Sequence, residues 1–137
     1  MHAWCHGAPG VALARAALPA AERHAAADGD VDSVLDAMAG RGGHGNASLC
    51  HGDLGNLETL AAAARSGDPR RRRLWADRAT AIVADLESRG PVCGTPDGVE
   101  TPGLMTGLSG IGHGLLRIAA PGIVPPALLL AVDPDGR

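Results

Sequence analysis

Cys50-His51-Gly52-Asp53-Leu54-Gly55 opens the stretch that decides the fold. From Gly52 to Ala64, Leu54, Leu57 and Leu60 recur at helical spacing and an Ala tract follows, so a Gly-rich turn leads straight into an apolar helix. The arrangement occurs twice more, in Cys5-His6-Gly7-Ala8-Pro9-Gly10 and in Gly107-Leu108-Ser109-Gly110-Ile111-Gly112. One further amphipathic helix is expected between the first and second turns, and another between the second and third. The repeating unit is then a helix pair of about forty to fifty residues. Such a pair cannot bury its apolar face alone, so units of this kind stack into a solenoid or close into an α/α ring.

Outward from this stretch, glycine and proline divide the chain into helical segments. Val11, Ala14 and Leu18 fit one face of a short helix from Gly10 to Leu18, ended by Pro19. From Asp30 onward, Val31, Val34, Leu35 and Met38 form one stripe, and Gly40-Arg41-Gly42-Gly43 stops it. Asp68-Pro69 has the form of an N-cap followed by proline at the first helical position. The helix it starts has the clearest pattern, with Trp75, Ala79, Ile82, Val83 and Leu86 on one side. Pro91 to Pro102 reads as loop, and Leu108, Ile111, Leu115 and Ile118 predict a last helix before Pro121. No segment alternates with the period of a strand. The fold class is all-α.

A length of 137 residues suits one domain with a real core. With two Trp and no Phe or Tyr, that core must come from Ala, Leu, Val and Ile, and Ala lets helix backbones approach closely. The net charge of -3 is mild. The one basic run, Arg70 to Arg73, sits between Asp68 and Asp77 and is expected to be a solvated helix face, so no nucleic-acid partner is predicted. No apolar run approaches the ~20 residues needed to span a bilayer. The longest, Val124 to Val132, contains Pro125 and Pro126, and no membrane partner is expected. Met1 to Gly10 lacks the basic-then-apolar pattern of a signal peptide, which predicts a cytoplasmic protein. Three cysteines argue against a closed disulfide framework and, in a reducing compartment, would be thiols.

Two of those cysteines are each followed by histidine: Cys5-His6 and Cys50-His51. Thiolate and imidazole are preferred zinc ligands, and three protein ligands leave a fourth position open. If the repeat is real, Cys5 and Cys50 occupy equivalent positions before two similar helices, whose N-termini favour thiolate over thiol. The residues alone leave two readings open: Cys5, Cys50 and His51 as ligands of one metal ion, or the cysteines as small buried residues. Cys93 reads as a loop thiol rather than a fourth ligand. Trp4 is expected to pack behind the metal turn, and Trp75 to anchor its helix. His113, at a place comparable to the other two motifs, reads as a polar residue at a helix start. His2, His24 and His44 receive no role.

Trp4-Cys5-His6-Gly7-Ala8-Pro9-Gly10 resembles the Trp-Cys-x-Gly-x-Pro-Gly motif of lanthionine synthetase C-like cyclases. Ser48-Leu49-Cys50-His51-Gly52-Asp53-Leu54-Gly55-Asn56 is similar to their Cys-His-Gly motif, in the version found in the C-terminal cyclase domain of class II lanthipeptide synthetases. The segment Pro102 to Arg117 is similar to the last inner helix of that domain. The three blocks follow the family's order and spacing over nearly the whole chain. The resemblance implies that residues 1–137 are the C-terminal portion of such a domain, part of an α/α toroid. It also implies that Cys5, Cys50 and His51 bind one Zn2+.

The implied reaction is lanthionine formation in a dehydrated precursor peptide. A zinc-bound Cys thiolate adds to dehydroalanine or dehydrobutyrine, and an acid then protonates the enolate. His6, beside a ligand, has two readings: proton donor at the site, or a turn residue facing solvent. The family's ring has seven helical hairpins, of which this chain is expected to hold the last three or so. The family's upstream His-Gly motif and dehydratase domain are not in this sequence. The implied partners are therefore the precursor peptide and the missing part of the synthetase. The alternative is a truncated remnant that binds zinc or peptide without cyclase activity.

Overall fold

The computed structural model describes residues 2–19, 22 and 25–130. Among them are five α-helices: α1 (Ala8–Ala17), α2 (Ala25–Ala39), α3 (Asp53–Ala64), α4 (Pro69–Arg89) and α5 (Leu108–Ala119). Short 3-10 turns cover Pro96–Gly98 and Ala127–Leu129. No strand occurs among the described residues, only an isolated bridge between Ala3 and His6. The chain is all-α, as its periodicity predicts. Of the expectations above, His24 and the end of the Val124–Val132 run lie outside the described residues.

The helices that follow the three Gly-rich turns form one row, with α1 packed on α3 and α3 on α5. Behind them α2 packs on α1, α4 on α3, and α2 on α4. The core lies between the rows. It is built from Val31 and Leu35 of α2, Leu54, Leu57 and Leu60 of α3, Ala79 and Ile82 of α4 and Ile111 of α5, closed by Leu49 and Cys93 from loops. The central helix α3 is buried from Asp53 through Leu60, so it is covered all round rather than on one stripe. α4 starts as its sequence predicts: the Asp68 carboxylate accepts the Arg70 N–H at 2.7 Å and the Arg71 N–H at 3.2 Å, with Pro69 in the first turn.

Three expectations need correction, the start of α1, the solvated basic run and the start of α2, while α5 forms where it was expected. α1 begins at Ala8 and buries Pro9, Ala12 and Leu13, while Val11 is 55% exposed and Leu18 39%. α1 docks on α3 through Pro9, whose carbonyl accepts the Thr59 hydroxyl at 3.0 Å. In α5 the buried side is Gly110, Ile111, Gly114 and Arg117, whereas Leu108 and Leu115 are exposed. Closeness to α3 selects that side, since a Cβ on Gly114 would lie within about 3 Å of Leu54 side-chain atoms.

The basic run is not a uniformly solvated face. Arg71 is buried and pairs with Asp32 at 2.9 Å and Asp28 at 3.4 Å, and Arg70 pairs with Asp36, so α2 presents an acidic ladder to α4. Finally, α2 starts at Ala25, before the predicted Asp30, and carries Gly29 within it.

Candidate metal centre

The residues singled out by the sequence sit on turns whose shape is set by glycine and backbone carbonyls. Before α3, the Asn46 side-chain oxygen accepts the Ser48 N–H at 3.1 Å and the Ser48 hydroxyl at 2.7 Å. The chain then wraps over the start of α3, whose N–H groups have no side-chain cap. Backbone supplies the acceptors instead: Asp53 N–H bonds Asn46 O at 3.0 Å, and Gly55 N–H bonds Ser48 O at 3.2 Å. The wrap is so tight that a Cβ on Gly55 would collide with the Leu49 carbonyl oxygen. Cys50 and His51 are thereby held at the tip of the turn.

The other two turns repeat this construction. A Cβ on Gly10 would collide with Trp4 O, and one on Gly110 with Leu104 O. Leu108 N–H bonds Thr101 O at 2.8 Å, at the same separation as Asp53 to Asn46. The structural register therefore aligns Cys5, Cys50 and Met105, and behind them His6, His51 and Thr106. This corrects the place given to His113. It lies in the middle of α5, with Nε2 3.1 Å from Pro125 O, and not at a helix start equivalent to the other motifs.

Neighbouring turns are joined at the aligned positions. Cys5 N–H bonds Cys50 O at 3.4 Å, and Cys50 N–H bonds Met105 O at 2.8 Å. As a result the ligand atoms of Cys5, Cys50 and His51 all lie within 4.8 Å of one another. Ligands on one tetrahedral zinc, with bonds of ~2.0–2.3 Å, stand about 3.3–3.8 Å apart, so a small contraction closes the set on an ion. Two thiols and one imidazole suit zinc chemically. Burial pushes the Cys50 thiol above its usual range, and the Cys5 sulfur beside it pushes it further. A cation between the two sulfurs would reverse that penalty.

A second loop braces the first. Ala47 N–H bonds Val92 O at 2.9 Å, and Gly94 N–H bonds Thr106 O at 2.7 Å. Gly94 lies flat against the centre: a Cβ there would collide with Ser48 Oγ and stand 3.0 Å from His51 Nε2. Cys93 is in this loop, yet its side chain is buried in the core and outside the group of three. His6 Nδ1 is 2.9 Å from Cys5 Sγ on the exposed side. Trp4 is half-buried and borders an open groove of about 420 Å³ that Cys5, Leu13, Ala14, Leu128 and Leu129 also line. Trp75 packs against the core from its edge.

Three supporting residues were not singled out by the sequence. The buried Asp53 carboxylate, two positions after His51, accepts from His44 N–H at 3.0 Å and from Arg78 at 2.7 Å, and stands 3.2 Å from His44 Nδ1. The far nitrogen of the same ring lies 3.0 Å from His2 O, which also accepts from Asn56 at 2.9 Å. This network ties the N-terminal strap, the residue 40–46 loop and α4 to the start of α3. The signal in the sequence was an acidic residue in the first turn of a helix beside a Cys-His pair, which alone fits a simple dipole role.

Paired helices with two thiols and an imidazole gathered at their N-terminal turns define a class of helical-repeat protein with a Cys-Cys-His group that could hold a metal ion. The model of the family described as Lanthionine synthetase C-like protein matches residues 1–129, and the chain belongs to that family. The Lacticin 481/lactococcin biosynthesis protein LcnDR2 of Lactococcus lactis subsp. lactis is 30% identical over 127 residues, covering 83% of this chain and 14% of its own length. The chain thus spans about one-seventh of that relative. No solved structure matches it. Among the described residues no helix is long and apolar enough to cross a membrane.

Proposed function

We propose that residues 1–137 are the C-terminal portion of a lanthionine cyclase domain, one hairpin stretch of an α/α toroid, that closes thioether rings in a dehydrated precursor peptide. In this reading Cys5, Cys50 and His51 hold one Zn2+. The observation that carries it is the convergence of these three donors, from two separate turns, within 4.8 Å of one another. Zinc held there would stabilise a peptide thiolate near neutral pH.

With Cys5, Cys50 and His51 as its protein donors, the ion would have room for the sulfur of the peptide and would hold it as a thiolate. That sulfur bonds to the β-carbon of a dehydroalanine or dehydrobutyrine, the double-bond pair shifts to the α-carbon side, and the α-carbon takes a proton. The product has the atoms of the reactant, so no co-reactant is consumed. His6, with its ring 2.9 Å from Cys5 Sγ, is the proposed proton donor. The Asp53–His44–Arg78 network fixes the start of α3 and so the direction of His51.

LcnDR2 is named for lacticin 481 and lactococcin biosynthesis, which supports a precursor peptide as partner; the rest of a synthetase is the second proposed partner. A cytoplasmic location, where thiols stay reduced, goes with this reading. The second reading is binding of zinc or peptide without ring closure.

Zinc measured by plasma mass spectrometry in the purified chain, beside a Cys50→Ala, His51→Ala double variant, tests the centre. The expected result is about one zinc per chain, lost in the variant. A folded, helical sample without zinc would sink it. Thioether formation is then read as loss of alkylatable thiol in a dehydrated peptide. Zinc binding without that loss selects the second reading.

A further inference from the structure

We infer that Met105 is the third wall of the metal centre: its thioether lies beside the position that Cys5, Cys50 and His51 leave open, and it positions the incoming sulfur there. The inference rests on the metal reading above. It is carried by the register of the three turns, not by any likeness to other proteins. Met105 stands where Cys5 and Cys50 stand, one residue after a carbonyl pressed against a helix glycine (Trp4 on Gly10, Leu49 on Gly55, Leu104 on Gly110). The Cys5 N–H to Cys50 O bond continues as Cys50 N–H to Met105 O, so the three positions are consecutive rungs of one ladder. The next residue, Thr106, holds Gly94, and the Gly94 backbone lies against His51. Met105 is 36% exposed, so its side chain is open to a bound group.

The residue type fits that place. A cysteine at position 105 would supply a third thiolate and fill all four positions, and a zinc site closed by four protein ligands is structural rather than catalytic. A thioether carries no proton to lose and is a weak, soft, flexible neighbour. It shields the open position from water yet yields to a peptide sulfur.

The test is cobalt(II) titration of the full-length wild-type chain and a Met105→Cys variant under reducing conditions. The intensity of the sulfur-to-cobalt charge-transfer band per bound ion should rise about 1.5-fold in the variant, in proportion to thiolates going from two to three. An unchanged band at equal metal content overturns the inference while leaving the metal centre standing. If the wild-type chain binds no cobalt, the metal reading fails, and a second measurement still decides the placement. In a Cys5→Ser, Met105→Cys chain, mild oxidation and peptide mapping should recover a disulfide between Cys50 and position 105. Its absence in a folded sample overturns the inference.

Discussion

The turns at residues 46–55 and 101–110 have one backbone and two chemistries. Both press a carbonyl onto a helix glycine, Leu49 on Gly55 and Leu104 on Gly110, and both bond the first helical N–H to a carbonyl seven residues back. Yet the first presents Cys50-His51 and the second Met105-Thr106. The parts that make the turn are therefore separable from the parts that carry the chemistry. Glycines and carbonyls build the scaffold, while two tip residues are free to vary, proposed ligands in one repeat and proposed neighbours of ligands in the next.

The largest expected effect breaks the comparison at the tips. Replacing Cys50 and His51 by alanine should lower zinc affinity by more than the roughly 10–100-fold typical of losing an outer-shell partner, with little change in helix content. Met105→Ala with Thr106→Ala should leave most of the zinc bound. Zinc titration monitored by a competing chelator reads both.

Next comes the tie between the two helices that follow these turns. Arg117 makes a two-pronged pair with Glu58 at 2.9 and 3.0 Å, both side chains buried, and bonds the carbonyls of Pro121 and Val124. Glu58→Ala should cost about 3–5 kcal/mol in urea unfolding, because the guanidinium is left buried without its carboxylate. A Glu58→Leu, Arg117→Met double variant should recover most of that loss.

The scaffold itself is tested by Gly55→Ala and Gly110→Ala. Each should destabilise by about 3 kcal/mol, since the added Cβ meets backbone that cannot rotate away. Similar values for the two, with zinc affinity more affected at Gly55, would sharpen the separation of scaffold from chemistry. Widely different values would break it.

The smallest effect lies away from both turns. Arg71, by hydrogen bond and charge, holds the Asp32 carboxyl below its ordinary value of 3.8. A lowered folded value means stabilisation present above that ordinary value and lost as the pH falls through the folded one. Thermal melts of Asp32→Asn and wild type should differ modestly at neutral pH and converge only as the pH falls from 3.8 through the lower folded value, with zinc content unchanged throughout.

Helix content and the positions of Cys5, Cys50 and His51 were legible in the sequence because each rests on a local or repeated signal. Apolar spacing marks helices, and a twice-repeated Cys-His before a glycine marks donors. Where reading stopped, the determining contact was distant. Val11 and Leu115 mark helices by their spacing but are exposed, because α1 and α5 meet α3 through Pro9 and Gly114, small or rigid residues that set how closely backbones approach. Arg71, in the basic run, was expected to be solvated, yet an acid 39 positions away takes it into the interior, as an acid 59 positions away does for Arg117.

The sequence by itself determined that the chain is built of helix pairs and which residue types could hold a metal, since backbone preference and donor chemistry are properties of the residues themselves. Only the tertiary structure decided that Cys5, Cys50 and His51 meet within 4.8 Å, and that Met105 rather than His113 is the third equivalent position. The reason is physical. Hydrogen bonds between turns far apart in sequence fix the register, and neither hydrophobic spacing nor residue type encodes which carbonyl each N–H will find.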